Sequence, residues 1–318
     1  MSRLLVTGLT GFVGETLRQY LPQTLRAGTF ELCAPPPDFD ITQPGSADDL
    51  VVQAKPDLVI HLASQSHVPT SFIDPAGTLA VNVNGTANLL LALTKTGFEG
   101  RMLYVGSADI YGLVSVSDLP VNETYLPTPR NPYAVSKAAA EMLCRQWHIT
   151  NGLDVVIARP FNHTGPGQHP GYALSGFARD IAAIAQGIKP PRIEVGDIQV
   201  TRDFSDARDV IDAYFVLLAQ GRAGEAYNVC SGREYRLADL LQQMLQLAGV
   251  EAEIALDPQR LRPSEHRRIY GDHSKITAHT GWQPTRSIED ILHSLLDYWA
   301  AYWLNRSAPA APALRQGV

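Results

Sequence analysis

Short apolar runs alternate with longer amphipathic stretches through the first half of the chain. The apolar runs that predict strands are RLLVTG, TFELCA, DLVIHLA, RMLYVGS and LDVVIARP. Between them, apolar residues recur at helical spacing in VNVNGTANLLLALTKTG and PYAVSKAAAEMLCRQW. Runs such as LVIHLA are apolar on both faces, as expected of a strand that helices cover on two sides. The alternation predicts an α/β fold, with a doubly wound parallel sheet between two layers of helices.

The second half of the chain mixes both kinds of pattern. RIEVGD and EAYNVCS predict strands, and ARDVIDAYFVLLAQ, LADLLQQMLQLAG and IEDILHSLLDYWAAYWL predict helices with apolar stripes. FNHTGPGQHPGY, dense in Gly, Pro and His, predicts a loop between the halves. Trp299 and Trp303, beside Tyr298 and Tyr302, predict core packing or a subunit contact on the last helix. The Ala- and Pro-rich tail after Trp303 is predicted to be disordered.

Composition narrows the functional classes. The 318 residues are 45% hydrophobic and 18% charged, as in ordinary globular proteins. A formal net charge of −6 argues against nonspecific nucleic-acid binding. No apolar run approaches the length of a membrane span, and no signal-peptide segment precedes the first glycine. We therefore expect a soluble cytoplasmic protein with no nucleic-acid or membrane partner.

The cysteines and histidines do not predict a metal site. Cys33, Cys144 and Cys230 lie far apart without C-x-x-C spacing, which argues against a disulfide framework or a zinc site and fits a reducing compartment. His163 and His169 flank a Gly-Pro loop and lack a third ligand at suitable spacing, so we expect loop histidines and no metal.

A glycine-rich turn follows the first predicted strand and opens a helix. Gly8, Gly11 and Gly14 give the pattern G-x-x-G-x-x-G. Glycine allows a tight turn and a close approach of the backbone to a pyrophosphate, which binds at the positive end of a helix. The spacing differs from the G-x-G-x-x-G of the commonest dinucleotide fold. A tight turn that binds no ligand is the alternative interpretation.

The end of the second predicted strand, ELCAPPPDFDI, bears on the choice between nicotinamide cofactors. An acid there would bind ribose hydroxyls, and an arginine would accommodate an additional phosphate. Neither group follows the strand directly, and Glu31 is expected within it. The missing acid slightly favours NADPH over NADH.

Tyr133 and Lys137 lie four residues apart at the start of a predicted helix, after Asn131 as cap and Pro132 as first residue. Residues four apart share a helical face. A cation about 4 Å away is worth roughly 4 kcal/mol at an effective dielectric of ~20. Such a cation would lower the phenol pKa from its usual value near 10 by about 2, which would make Tyr133 a usable general acid. The alternative is an ordinary Tyr and Lys on an amphipathic helix.

Together these features resemble the extended short-chain dehydrogenase/reductases, which include nucleotide-sugar epimerases, dehydratases and reductases. The features are T-G-x-x-G-x-x-G at residues 7–14, Ser107 at the end of the fourth predicted strand, and Y-x-x-x-K at Tyr133 and Lys137. The resemblance spans nearly the whole chain and implies a Rossmann-type sheet with a smaller C-terminal α/β domain. Residues 1–162 and about 203–231 would bind the cofactor, 163–202 and 232–306 the nucleotide sugar, and 307–318 would form the tail.

The resemblance implies a role for each matched residue. Ser107 would hold the carbonyl oxygen, Tyr133 would supply the proton, and Lys137 would lower the Tyr133 pKa and hold the nicotinamide ribose. Asn82 matches an asparagine that braces the sheet. The other implied cofactor contacts are Gly8, Thr10, Gly11, Phe12, Val13, Gly14, Asp40, Ile41, Leu62, Ala63 and Ser64.

Two later segments, VGDIQVTRDFSDARDV and LRPSEHRRIYGDHSKI, resemble the branch of GDP-mannose dehydratases and GDP-4-keto-6-deoxy-mannose reductases. The branch implies hydride transfer from NADPH or NADH to the C4 ketone of GDP-4-dehydro-6-deoxy-D-mannose, giving GDP-D-rhamnose for polysaccharide synthesis. It also implies a homodimer through a four-helix contact. The implied substrate contacts are Ser107, Ala108, Asp109, Asn162, Arg192, Arg202, Arg262 and Glu265. Arginine binds a diphosphate in bidentate fashion, although each arginine also fits a solvated surface charge.

Three other activities stay open. A dehydratase of this superfamily would carry a proton donor directly after Ser107, where this chain has Ala108, but the Asp109 carboxylate remains. Epimerases share the three catalytic residues, and only the two later segments argue against epimerisation. A noncatalytic NADP(H)-sensing module is the alternative from another class.

Overall fold

Six parallel strands form the central sheet of the computed structural model, which describes residues 1–24, 26, 28–261 and 267–307. In their order across the sheet they are β10 (Ala226–Val229), β5 (Asp154–Pro160), β4 (Arg101–Val105), β3 (Leu58–His61), β1 (Ser2–Thr7) and β2 (Phe30–Cys33). The strands predicted for the first half of the chain are confirmed, and so is EAYNVCS, which forms β10.

The chain reverses its direction of travel across the sheet between β1 and β3. From β1 it moves outward to β2, and it then returns to β3 on the other side of β1. Thr7 and His61, the last residues of β1 and β3, lie opposite each other in the register. In open parallel sheets, ligands bind beyond the carboxyl ends of the strands at such a reversal. The topology therefore places a cleft where the glycine-rich turn begins.

Helices cover both faces of the sheet, and further helices pack together in the C-terminal half of the chain. The helices in the described part of the chain are α1 (Phe12–Tyr20), α2 (Ser46–Ala54), α3 (Val68–Ile73), α4 (Pro75–Leu79), α5 (Gly85–Lys95), α6 (Pro132–Asn151), α7 (Ala173–Ala185), α8 (Ala207–Gln220), α9 (Leu237–Ala248), α10 (Ser274–Thr280) and α11 (Ile288–Ser307).

Alternate residues of each strand pack on opposite faces of the sheet. Leu4 and Val6 of β1 lie in an apolar cluster with residues of α1 and α8, whereas Leu5 lies in a cluster with residues of α2, α5 and α6. Both clusters are buried, which is why the strands are apolar at odd and even positions alike. The predicted doubly wound α/β fold is confirmed.

A third apolar cluster lies in the C-terminal half, where α7, α9 and α11 pack together. Three aromatic residues of α11, Trp299, Tyr302 and Trp303, belong to it. The Trp299 indole donates to the Ser175 hydroxyl and the Trp303 indole to the Arg179 carbonyl, both at 3.1 Å. This confirms the core-packing interpretation for these three residues, whereas Tyr298 is 36% exposed. The division into a cofactor domain and a sugar domain stays a prediction.

Short strand pairs accompany these helices. They are β7 (Arg192–Val195) with β12 (Glu253–Leu256), β8 (Thr201–Arg202) with β11 (Tyr235–Arg236), and β6 (Asn162–Thr164) with β9 (Phe204–Asp206). The start of FNHTGPGQHPGY, predicted as loop, is thus a strand, because its backbone pairs with β9. The predicted tail begins too early as well, since α11 continues to Ser307; residues 308–318 lie outside the described part.

One continuous helix, Pro75–Lys95, combines α4, a π-helical turn over Ala80–Asn84, and α5. By length and composition alone it could cross a membrane, contrary to the expectation from the sequence. Within the fold, however, 44% of its apolar window is buried, and α5 packs against α2 and α6. The π turn brings the buried Asn82 into the interior.

Candidate functional site

The glycine turn is packed so tightly that side chains are excluded. Gly8 has a φ of +76°, and a Cβ there would lie 2.6 Å from the Ala63 backbone nitrogen. A Cβ on Gly14 would lie 2.5 Å from the Gly8 carbonyl oxygen. Gly11 caps α1 without a side-chain hydrogen bond to the first turn. A backbone surface of this kind at a helix N-terminus fits the pyrophosphate of a dinucleotide.

The other predicted cofactor residues surround this turn. The glycine turn contains Thr10, and the first turn of α1 contains Phe12 and Val13. The segment directly after β3 contains Leu62, Ala63 and Ser64. Ile41 is buried against Gly85, and its carbonyl accepts a hydrogen bond of 2.8 Å from Asn88.

Asp40 uses its carboxylate within its own turn. One oxygen accepts from the Thr42 backbone at 2.9 Å and from the Thr42 hydroxyl at 2.7 Å, and the other accepts from Gln43 at 3.2 Å. The Thr42 backbone bond, followed by the side-chain bonds, lowers the pKa of Asp40. The carboxylate therefore shapes the turn that carries Ile41, and a direct contact with the cofactor stays a prediction.

Ser107 and Tyr133 meet at the carboxyl end of β4. Ser107 caps a short 3₁₀ turn, Ala108–Tyr111, and its hydroxyl accepts from the Asp109 backbone at 3.2 Å. Asn131 caps α6 by accepting from the Ala134 backbone at 2.7 Å, which sets Tyr133 in the first turn. The Ser107 hydroxyl lies close enough to the Tyr133 phenol to influence its pKa. Two of the three predicted catalytic residues are therefore neighbours at the end of β4.

The pKa of Tyr133 is raised, and the predicted lowering is wrong for this structure. Burial raises it most and the Asp109 carboxylate adds to the effect, while the Ser107 hydroxyl opposes both. Lys137 donates to the Val105 carbonyl at 2.9 Å and lies over the Tyr104 ring at 5.5 Å. The residue spacing placed both groups on α6, but the ammonium is directed at the end of β4.

Lys137 is itself changed by burial. With only 4% of its surface exposed, its pKa is lowered to about 8, since desolvation disfavours the ammonium. The site thus pairs a phenol that stays neutral across the physiological range with an ammonium close to its titration point. A neutral phenol is a proton donor, which suits the delivery of a proton to a substrate oxygen.

The predicted substrate residues fall in different places. Ala108 is buried among apolar side chains that include Ile110 and Phe161, so it presents no polar group to a substrate. Asn162 is exposed on β6. Arg192 is exposed on β7 and lies 3.6 Å from Glu253. Arg202 is on β8, where its guanidinium donates to the Thr201 carbonyl at 2.7 Å. Arg262 and Glu265 lie outside the described residues.

His163 connects the loop after β5 to the glycine turn. Its ring stacks on Phe12 with centroids 6.4 Å apart, and its Nδ1 lies 2.9 Å from the Phe161 carbonyl. Burial lowers its pKa. Among the described residues, no group of three or more His, Cys, Asp or Glu side chains could hold a metal.

Two contributions to the site were not predicted from the sequence. Tyr172, the cap of α7, is close enough to Tyr133 to raise the pKa of that phenol slightly. Its only sequence signal is its place at the end of the Gly-, Pro- and His-rich segment. The second contribution is a buried ion pair behind Ser107: Glu141 binds Arg159 at 2.6 Å, and Arg159 donates to the Tyr111 hydroxyl at 2.8 Å.

Comparisons with known proteins agree with this geometry. A family model described as GDP-mannose 4,6 dehydratase matches residues 37–295. GDP-6-deoxy-D-mannose reductase of Pseudomonas aeruginosa is 48% identical over 297 residues, 93% of this chain and 97% of the relative. The structure of RMD from Pseudomonas aeruginosa complexed with NADPH has a TM-score of 0.90 and 47% identity, covering 95% of this chain and 100% of that one. Thermus thermophilus UDP-glucose 4-epimerase in complex with NAD has a TM-score of 0.81 and 27% identity, covering 96% and 100%.

Proposed function

The chain belongs to the GDP-mannose 4,6 dehydratase family, within the extended short-chain dehydrogenase/reductases, and from that membership we propose that it is an NAD(P)H-dependent GDP-sugar reductase. Its substrate would be GDP-4-dehydro-6-deoxy-D-mannose, and its product GDP-6-deoxy-D-mannose (GDP-D-rhamnose) for polysaccharide synthesis. The observation that carries this proposal is the nearly full-length similarity to a GDP-6-deoxy-D-mannose reductase. The proximity of Ser107 to Tyr133 supports it, because reduction of a ketone needs a proton donor at the oxygen.

The residues of the site would act on the carbonyl oxygen of the substrate. When bound, the reduced nicotinamide supplies the hydride that forms the new C–H bond at C4. Ser107 would orient the carbonyl oxygen beside the Tyr133 phenol, and Tyr133 would donate the proton that completes the alcohol before regaining one from water. Because burial and Asp109 raise the pKa of Tyr133, the phenol carries its proton at neutral pH, as reduction requires.

The cofactor would lie at the glycine turn and the sugar nucleotide in the C-terminal half. NADPH or NADH fits the turn, and we keep the slight preference for NADPH because the second strand is followed directly by Ala34 and Pro35 rather than by an acid. Arg192 and Arg202 are proposed for the diphosphate, and Asn162 for the sugar. Arg262 and Glu265 remain proposals from the sequence. A cytoplasmic location is part of the same proposal.

A 4,6-dehydratase is the second candidate, and Asp109 is the observation that favours it. Its carboxylate is close enough to Tyr133 to raise the phenol pKa, so an additional acid-base group lies beside the proposed proton donor. Ala108 has no proton to donate at the neighbouring position, which favours simple reduction. The two activities differ in redox balance, because a dehydratase consumes no net NADPH.

A panel of nucleotide sugars tests these alternatives. The protein would be incubated with GDP-4-dehydro-6-deoxy-D-mannose, GDP-mannose and the UDP- and dTDP-linked ketones, each with NADPH or NADH, and the sugar products would be identified by NMR. We expect stoichiometric oxidation of NAD(P)H with the GDP-linked ketone and formation of GDP-6-deoxy-D-mannose. Conversion of GDP-mannose to the ketone without net oxidation would favour the dehydratase. Binding of NADPH without turnover on any ketone would favour a noncatalytic sensor.

A further inference from the structure

A buried histidine joins β1 to the helix that carries Asn82. His61, the last residue of β3, is 1% exposed. Its Nδ1 lies 2.6 Å from the Thr7 hydroxyl, and its Nε2 lies 3.0 Å from the Thr86 hydroxyl. Both ring nitrogens are therefore in hydrogen bonds, and their directions follow from the partners.

The Thr86 hydroxyl sets the tautomer of His61. Thr86 donates to the Asn82 backbone carbonyl at 2.6 Å, and a hydroxyl has a single proton to donate. Thr86 must therefore accept from His61, which places the ring proton on Nε2. Burial, together with the Lys137 ammonium, lowers the pKa of His61 to about 3, so the ring is neutral and its Nδ1 is an acceptor. The Thr7 hydroxyl consequently donates to Nδ1.

One end of this series of hydrogen bonds lies at the glycine turn. The Thr7 hydroxyl accepts from the Ala63 backbone N–H at 3.4 Å. Ala63 is the residue whose backbone excludes a side chain at Gly8, and Thr7 precedes Gly8 in the chain. Movement of the Thr7 hydroxyl would therefore change the contact between the two loops that border the cofactor cleft.

The other end lies at the start of α6. Asn82 accepts from the Gln65 backbone at 2.8 Å, and its amide donates to the Ser136 hydroxyl at 2.8 Å. Ser136 in turn donates to the Tyr133 carbonyl at 2.7 Å. The hydrogen-bond series that begins at Ala63 thus ends on the backbone of the proposed proton donor. Asn82 sits in the π turn, a helix irregularity common at functional sites.

We propose that His61, as its neutral Nε2–H tautomer, is a positioning residue that holds the glycine turn and the start of α6 at a fixed separation. It would touch neither substrate nor cofactor. Its effect would be that a cofactor bound at the glycine turn faces Tyr133 in the geometry that hydride and proton transfer to the substrate carbonyl require. In this respect the proposal rests on the proposed reductase function.

The tautomer is tested without any activity. Protein labelled with ¹⁵N-histidine would be examined at pH 7 by long-range ¹H–¹⁵N NMR correlation, with the His61 signals assigned by their loss in His61→Gln. We expect a neutral ring protonated on Nε2. A neutral ring protonated on Nδ1 would overturn the proposal, because Thr86 would then have to donate to the ring. A ring protonated on both nitrogens would also overturn it, because the ring would then donate to both threonines.

Kinetics of threonine variants test the positioning role. Loss of one hydrogen bond of about 1.4 kcal/mol corresponds to roughly tenfold in binding or rate. We expect Thr7→Val to weaken NADPH binding about tenfold with little change in kcat, and Thr86→Val to lower kcat about tenfold with NADPH binding nearly unchanged. Serine at either position keeps the hydroxyl and should restore wild-type values to within about twofold.

The matched control is Thr94→Val on the same helix. Thr94 also donates to the carbonyl four residues back and accepts from a ring N–H, that of Trp147, but it lies on the outer surface. Equal effects of Thr86→Val and Thr94→Val, or a failure of serine to restore, would refute the positioning role. The dissociation constant of NADPH and the NMR signal remain measurable if the wild type reduces no ketone, so failure of the proposed function is distinguished from failure of this inference.

Discussion

Tyr133 and Lys137 are both buried at the same end of α6, and burial changes their pKa values in opposite directions. Desolvation disfavours whichever form is charged, so it raises the pKa of the phenol and lowers that of the ammonium to about 8. At neutral pH the phenol is therefore neutral and the ammonium is largely charged. A reductase needs this combination, because the phenol must hold a proton to donate.

Replacing Tyr133 with Phe removes the proposed proton donor and leaves the ring. We expect turnover of the GDP-linked ketone to fall by about 10² to 10⁴, the usual effect of losing a general acid. NADPH binding should change little, since the glycine turn is untouched. Steady-state kinetics and a fluorescence titration with NADPH would measure the two effects. Turnover like that of the wild type would show that another group donates the proton.

The pKa of Lys137 predicts the pH dependence of cofactor capture. As pH rises through about 8, the ammonium loses its proton, while Tyr133, whose pKa is raised, does not titrate in that range. We expect kcat/KM for NADPH, which reports groups of the free enzyme, to fall above a pH of about 8.

Lys137→Arg is the control for this pH dependence. A guanidinium keeps its charge at any accessible pH, so the fall near pH 8 should vanish even if the variant is slower overall. If kcat/KM for NADPH fell in the same way in Lys137→Arg, the titrating group would not be Lys137.

At the scale of elements, α6 is fixed at two places along its length. Near its start, Ser136 accepts from Asn82 of the π turn at 2.8 Å. One turn beyond Lys137, Glu141 makes a two-pronged ion pair with Arg159 of β5, at 2.6 and 2.9 Å. These contacts set the rotation of α6 on the sheet, and that rotation directs Tyr133 toward Ser107.

Glu141→Gln tests the second of these contacts. Both members of the pair are about 5% exposed, and removing one charge of a buried pair costs about 3–5 kcal/mol, because the other is left uncompensated. We expect a loss of that size in the free energy of unfolding, measured by urea denaturation.

Lys95→Gln is the matched control for Glu141→Gln. Its pair with Asp48, at 2.8 Å, is exposed, and such pairs contribute about 1 kcal/mol or less. If Glu141→Gln lowered the free energy of unfolding by only about 1 kcal/mol or less, the buried pair would not hold α6 in place.

At the scale of the whole molecule, the outer face of α6 carries an apolar stripe. Val135, Met142 and Ile149, seven residues apart in turn, are 43%, 70% and 78% exposed. Leu91 on the neighbouring α5 is also exposed. Such a stripe on two adjacent helices supports the homodimer that the family resemblance implies, in which α5 and α6 of two copies would form four helices.

The double substitution Met142→Glu with Ile149→Glu should produce a monomer. Both side chains are exposed, so charges there should leave the fold intact while placing four carboxylates within the proposed interface. Analytical ultracentrifugation would measure the mass, with circular dichroism to verify folding. Leu247→Glu on α9, a residue that is 38% exposed, is the matched control and should leave the mass unchanged. If the double variant kept the wild-type mass, the outer face of α5 and α6 would not be the dimer interface.

The sheet strands could be predicted, but several helices could not. The strands are short, apolar runs bounded by turns, and a strand buried on both faces needs little else. The helix α7 was not predicted, because its segment ALSGFARDIAAIA lacks a recognisable start signal: Tyr172 occupies the N-cap position and makes no side-chain cap hydrogen bond. The short strands β6 and β8 depend on partners distant in the chain, so no local pattern indicates them.

The amino-acid sequence by itself determined the fold class, the glycine turn, the Tyr133–Lys137 spacing and the family, because these depend on local periodicity and on residue types at set intervals. Only the tertiary structure decided how the groups act on one another. It directs Lys137 to the Val105 carbonyl, raises the pKa of Tyr133, and joins Thr7, His61 and Thr86 across the sheet. The physical reason is that burial and hydrogen-bond direction depend on residues brought together from distant parts of the chain, and no spacing along the sequence encodes those neighbours.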